Sequence, residues 1–106
     1  MSDKFLQFLG LTKKSGNLLE GYNKCEEALK KNKGFLIIIS SELSENSKKK
    51  FYKYCSERNI PIIDTYGKLS LSEVLGRKEI NVVCVIDKGM SDQLQVLHKS
   101  IDTNRG

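Results

Sequence analysis

One hundred and six residues, 39% hydrophobic and 29% charged, with one Pro and eight Gly, fit a single domain and exclude collagen, a disordered tail and a disulfide scaffold. Eighteen Lys and Arg against thirteen Asp and Glu give a net charge of +5, and residues 1–60 carry the whole surplus. Such a balance favours a polyanionic partner, because neutralising phosphates releases their counterions.

Ser2-Asp3 is placed to cap a first helix through Phe5, Leu6, Leu9 and Lys13, with Gly16 as its stop. Leu18-Leu19 reads as a short strand. A second helix opens at Gly21 or Asn23 and sets Tyr22, Cys25, Ala28 and Leu29 on one face. Phe35 to Ile39 is a continuous apolar run, the pattern of a strand covered on both faces. Ser44 caps a third helix bearing Phe51, Tyr54, Cys55 and Arg58 along one side. Ile60-Pro61-Ile62-Ile63 follows as a strand with Pro61 near its start. Ser70 to Leu75 makes a short helix ended by Gly76, and Val82 to Ile86 a fourth strand. Ser91 is then expected to cap a last helix carrying Leu94, Leu97, His98 and Ile101, with residues 102–106 frayed. Helices and strands alternate throughout, which predicts one α/β domain over residues 1–106. Its architecture is a three-layer α/β/α sandwich around a four-stranded, largely parallel or mixed sheet.

Apolar runs stay well below the roughly 18–20 residues of a membrane span. Asp3 precedes the first apolar residues and Lys13-Lys14 follow them, the wrong order for a secretory signal, so a cytoplasmic protein is expected. Cys25, Cys55 and Cys84 stand about thirty residues apart without a CxxC pair, and read as buried core thiols. A single histidine, His98, is too few for a zinc site or a nucleophilic triad. Neither GxxxxGK nor GxGxxG occurs. No catalytic residue, cofactor or metal is therefore expected.

Four stretches agree in order and spacing with a known group. They are Leu9-Gly10-Leu11-Thr12-Lys13-Lys14-Ser15-Gly16-Asn17-Leu18-Leu19-Glu20-Gly21, Ser41 to Lys50, Leu75-Gly76-Arg77-Lys78-Glu79, and Val85-Ile86-Asp87-Lys88-Gly89. Over about residues 5–100 the chain resembles the kink-turn-binding ribosomal-protein superfamily, with its Gadd-like fold, and within it the bacterial YlxQ-like branch. The resemblance implies a three-layer α/β/α fold and RNA binding without catalysis.

In that family the turn between the first strand and second helix carries Gly-x-Asn-Glu-x-x-Lys, whose polar groups meet sheared G·A pairs in sharply bent RNA. Gly21 and Asn23 match the Gly and Asn; Lys24 stands in the place of the Glu, and Glu27 in the place of the Lys. The loop before the last strand is implied to pack an apolar residue on an extruded base, here Ile80, beside Arg77 and Lys78. The implied RNA-facing set is thus Lys13, Lys14, Gly21, Tyr22, Asn23, Lys24, Glu27, Arg77, Lys78 and Ile80. Elementary chemistry agrees with several of these. A helix N-terminus exposes unpaired N–H groups, Gly lets a backbone come close, and an Asn amide offers both donor and acceptor to a base edge.

The expected partner is structured RNA, ribosomal or regulatory, bound by a monomer with no membrane or small-molecule role. Two other readings compete. Glu20, Glu26 and Glu27 near the contact surface would suit a protein-interaction module that has lost RNA recognition. Asp64 and Asp87 near strand ends would suit a small α/β enzyme.

Overall fold

The computed structural model describes residues 3–105, with side chains through residue 99. Helices α1 (Lys4–Lys14), α2 (Tyr22–Lys30), α3 (Glu45–Arg58), α4 (Lys68–Leu75) and α5 (Lys88–Arg105) alternate with strands β1 (Leu18–Glu20), β2 (Leu36–Ile39), β3 (Ile62–Ile63) and β4 (Val82–Val85). Ser2 and Gly106 lie outside the described residues, as do the side chains of the tail expected to fray.

The helix boundaries follow from local chemistry. The Asp3 carboxylate accepts from the Phe5 and Leu6 amides at 2.8 and 3.2 Å and so starts α1. Ser44 accepts from the Ser47 amide at α3. Gly76, with φ +63°, closes α4 in the left-handed conformation that Gly adopts without penalty. At α5 the expectation is corrected. Asp87 caps the helix, its Oδ2 accepting from Met90 N at 2.9 Å, whereas Ser91 is buried inside it and donates to the Phe35 carbonyl at 3.1 Å. The third strand is also shorter than expected, Ile62–Ile63, because Pro61 has no N–H for the ladder; its carbonyl still accepts from Ile37 N at 3.1 Å.

Strand order is β1-β4-β2-β3. β2 and β3 pair in parallel, while β4 runs antiparallel to both β1 and β2, so the sheet is mixed. The reason lies after α4. The turn there is pinned by Arg77 N to Ser72 O at 2.9 Å and by Ile80 N to Ser72 Oγ at 3.0 Å, and β4 starts from the edge where β2 ends.

Alternate residues of the two central strands build two cores. Leu36, Ile38, Val83 and Val85 face α1, α4 and α5, meeting Phe5, Leu9, Leu71, Leu75 and Leu94. Ile37, Ile39, Val82 and Cys84 face α2 and α3, meeting Leu29, Cys25, Phe51 and Cys55. Each fully buried Leu, Ile or Phe contributes about 1.5–3 kcal/mol, so the layers rest mainly on these side chains. All three thiols lie in the second core.

The mixed order positions the rest. The C-terminal ends of β1, β2 and β3 and the N-terminal end of β4 share one edge of the sheet. The β1–α2 turn, the β2–α3 loop and the α4–β4 loop therefore meet there. They are tied by Gly21 N to Val82 O at 2.9 Å and Ser40 N to Asn81 O at 2.8 Å.

Candidate nucleic-acid interface

The tip of α2 is the centre of that edge. Gly21 is its N-cap, with φ +108° and ψ 152°, and gives no side-chain hydrogen bond. The first-turn N–H groups of an α-helix have no partner within the helix. The other four helices each receive one: Asp3 at α1, Ser44 at α3, Glu42 Oε2 on Lys68 N at 2.7 Å at α4, and Asp87 at α5. Among the described residues α2 alone starts without a side-chain acceptor, and its first turn holds no acidic residue. With no side chain bonded to its first N–H groups, this tip is an anion-receptive end.

Asn23 sits in the second helical position, exposed, with its amide free of any intramolecular bond. It does not cap the helix, so its donor and acceptor are spare. Lys24 beside it is exposed and pairs with no acid. Tyr22 is half-buried. Its ring packs edge-on against Phe51 at 5.0 Å, with the Lys50 ammonium 5.5 Å from its centroid. Tyr22 thus props the tip from α3 and is no free stacking platform. Glu27 lies one turn down α2, exposed and 3.8 Å from Lys31.

The cations read from sequence divide into two kinds. Lys14 and Lys78 are exposed without a carboxylate partner. Lys13 and Arg77 converge instead on Glu20, the last residue of β1. Lys13 Nζ is 3.2 Å from its Oε2 and also donates to the Leu75 carbonyl, and Arg77 Nη1 is 3.6 Å from its Oε1.

One expected contact is overturned. Ile80 is only 4% exposed and belongs to the core under α1, α4 and α5, so it cannot meet an extruded base. The exposed part of the α4–β4 loop is Gly76 to Glu79 and carries no apolar side chain.

Lys50 extends the edge beyond the residues expected from sequence. It pairs with Glu26 at 2.8 Å, and Tyr54 donates to the same carboxylate at 2.7 Å. These two bonds hold the Glu26 carboxyl below the usual range and push the Lys50 ammonium and the Tyr54 phenol up. The signal was the spacing of Lys50 and Tyr54, which places both on the α3 face toward α2. Lys48 in the same run is tied to the Ser41 carbonyl at 2.7 Å.

The competing sites do not assemble. Asp64 follows β3 and Asp87 follows β4, which places them at opposite edges because β4 runs antiparallel to β2. Tyr52 donates to Asp64, and Asp87 is occupied as a cap. Among the described residues no three His, Cys, Asp or Glu gather to hold a metal ion, and no helix is long and apolar enough to cross a membrane.

Among curated proteins the chain is 21% identical over 94 residues to "RNA-binding protein YlxQ" of Enterococcus faecium, covering 89% of this chain and 90% of that one. A solved structure of a protein with unknown function from Bacillus halodurans C superposes with a TM-score of 0.87 at 30% identity, over 91% of this chain and 97% of that one. The model of the "Ribosomal protein L7Ae/L30e/S12e/Gadd45 family" matches residues 3–95. With that match spanning most of its length, the chain belongs to the ribosomal protein L7Ae/L30e/S12e/Gadd45 family.

Proposed function

We propose that this protein is a non-catalytic RNA-binding protein that grips bent or bulged RNA, such as a kink-turn, as a cytoplasmic monomer associated with the ribosome. The observation that carries the reading is the open tip of α2, with no internal acceptor and with Asn23 and Lys24 unpartnered beside it. The tip takes a backbone phosphate, Asn23 reads a base edge, and Lys14, Lys24 and Lys78 engage flanking phosphates. The name of the Enterococcus relative points the same way.

The acids that motivated a protein-interaction module are largely consumed within the fold. Glu20 is held by Lys13 and Arg77, and Glu26 by Lys50 and Tyr54.

Binding of a kink-turn hairpin, compared with a straight duplex of equal length, tests the reading. The hairpin is bound more tightly, its affinity falls steeply with salt, and Asn23→Ala loses about tenfold, the low end of a lost bidentate base contact. Equal affinity for hairpin and duplex, or an Asn23→Ala variant that binds like wild type, refutes it.

A further inference from the structure

We propose that Glu20 is a built-in competitor for the RNA backbone, withholding the charges of Lys13 and Arg77 from any polyanion that does not place a phosphate where the carboxylate now sits. This inference rests on the RNA-binding reading and names a specificity determinant within that surface.

Three observations carry it. Glu20 directly precedes Gly21 in sequence, and its side chain shares the sheet face of Leu18, toward α1 and the α4–β4 loop at the same edge. Its side chain is only 13% exposed, yet Oε2 is buried without a hydrogen-bond donor in good geometry, although Lys13 Nζ stands 3.2 Å away. Arg77 approaches the other oxygen at 3.6 Å, too long for a hydrogen bond, and is itself half exposed at 50%. The carboxylate therefore holds two cations electrostatically without consuming their best donor geometry. A half-exposed guanidinium in a loose pair is free to turn toward a phosphate that offers bidentate bonds.

The chemistry gives two classes of cation on one edge. Lys14 and Lys78 act on any polyanion. Lys13 and Arg77 act only when their neutralising anion is displaced, which demands RNA of the right shape. Glu20 thereby lowers non-specific affinity more than specific affinity.

Isocratic retention on immobilised heparin reads this directly, since its logarithm falls with the logarithm of salt in proportion to the cations engaged. Glu20→Gln steepens that slope by about one unit relative to wild type, and raises affinity for poly(U) about fivefold at low salt. Glu73→Gln, at an exposed position of α4 where the carboxylate pairs with no cation among the described residues, changes net charge equally and leaves the slope unchanged. A second comparison leaves Glu20 in place, so it reads the proposal even if Glu20→Gln does not fold. In the wild-type background Lys78→Gln flattens the slope more than Arg77→Gln. Equal slopes for Glu20→Gln and Glu73→Gln, or an Arg77→Gln loss as large as that of Lys78→Gln, overturn the proposal. A wild type with no preference for the kink-turn hairpin refutes the functional reading instead, and the heparin slopes do not depend on that preference.

Discussion

Gly21→Ala isolates what the strand-to-helix turn costs the chain. At φ +108° and ψ 152° Gly21 occupies a region that is essentially reserved for glycine. A Cβ built there meets nothing within 4 Å, so the variant introduces no clash and its cost is backbone strain alone. That strain is of order 1–3 kcal/mol. The turn cannot relax cheaply, because Gly21 N donates to Val82 O at 2.9 Å and its carbonyl accepts from Cys25 N at 3.1 Å. Taking about 2 kcal/mol, and about 4–8 °C per kcal/mol for a domain near 100 residues, the midpoint falls by roughly 8–16 °C. Gly76→Ala is the internal comparison. Its φ of +63° and ψ of 36° lie in the ordinary left-handed well, also without a Cβ contact, and its cost is about 1 kcal/mol. Thermal unfolding followed by circular dichroism ranks the two. A Gly21→Ala variant within about 0.5 kcal/mol of wild type, or one milder than Gly76→Ala, refutes the assignment of strain to this turn.

Gly34→Ala fails for a different reason: its Cβ would stand 2.7 Å from Cys84 Sγ, an overpacking worth about 1–3 kcal/mol that Cys84→Ala should partly restore in the double variant. Urea midpoints that show no such rescue contradict the contact. Asp3→Ala removes the acceptor for two α1 amides and for the Tyr66 hydroxyl, and should cost about 1–2 kcal/mol in the same assay; a neutral result would mean that water satisfies those donors as well. Burial pushes the thiols of Cys55 and Cys84 up from 9.0 to about 11 and about 12, and that of Cys25 up further. The native state thus keeps protons that the unfolded chain releases above about pH 9. Their stabilising contribution is complete below about pH 9 and is lost as pH rises through the folded values, so urea midpoints decline over that window and decline less in Cys84→Ala. In the native protein near pH 8 iodoacetamide should leave all three thiols intact; fast alkylation of any of them contradicts their burial.

Much of the architecture was readable one element at a time. Phe35 to Ile39 and Val82 to Ile86 announce two-sided burial because no polar residue interrupts them, and Asp3, Ser44 and Gly76 mark helix ends through chemistry that needs no distant partner. The direction of β4 was not readable, since alternation of helix and strand is the same whether a connection crosses the sheet or turns back at one edge. Ile80 was misplaced for a similar reason. An apolar residue in a charged loop suits a ligand contact or the core equally, and only the Ser72 bond to its amide turns it inward. At the candidate interface, Gly21, Asn23 and Lys24 lie together in sequence and stand together at the start of α2. The Glu20 hub joins Lys13 to Arg77 across more than sixty positions, a pairing that exists only once the α4–β4 loop returns to β1.

β1 has one neighbour, and that neighbour is the last strand to be polymerised: Leu18 waits for Val85, Leu19 for Cys84 and Glu20 for Val83. A nascent chain that ends before residue 82 therefore has no anchor for the Gly21 amide. The proposed surface is thus completed late in synthesis, and a half-made copy lacks it.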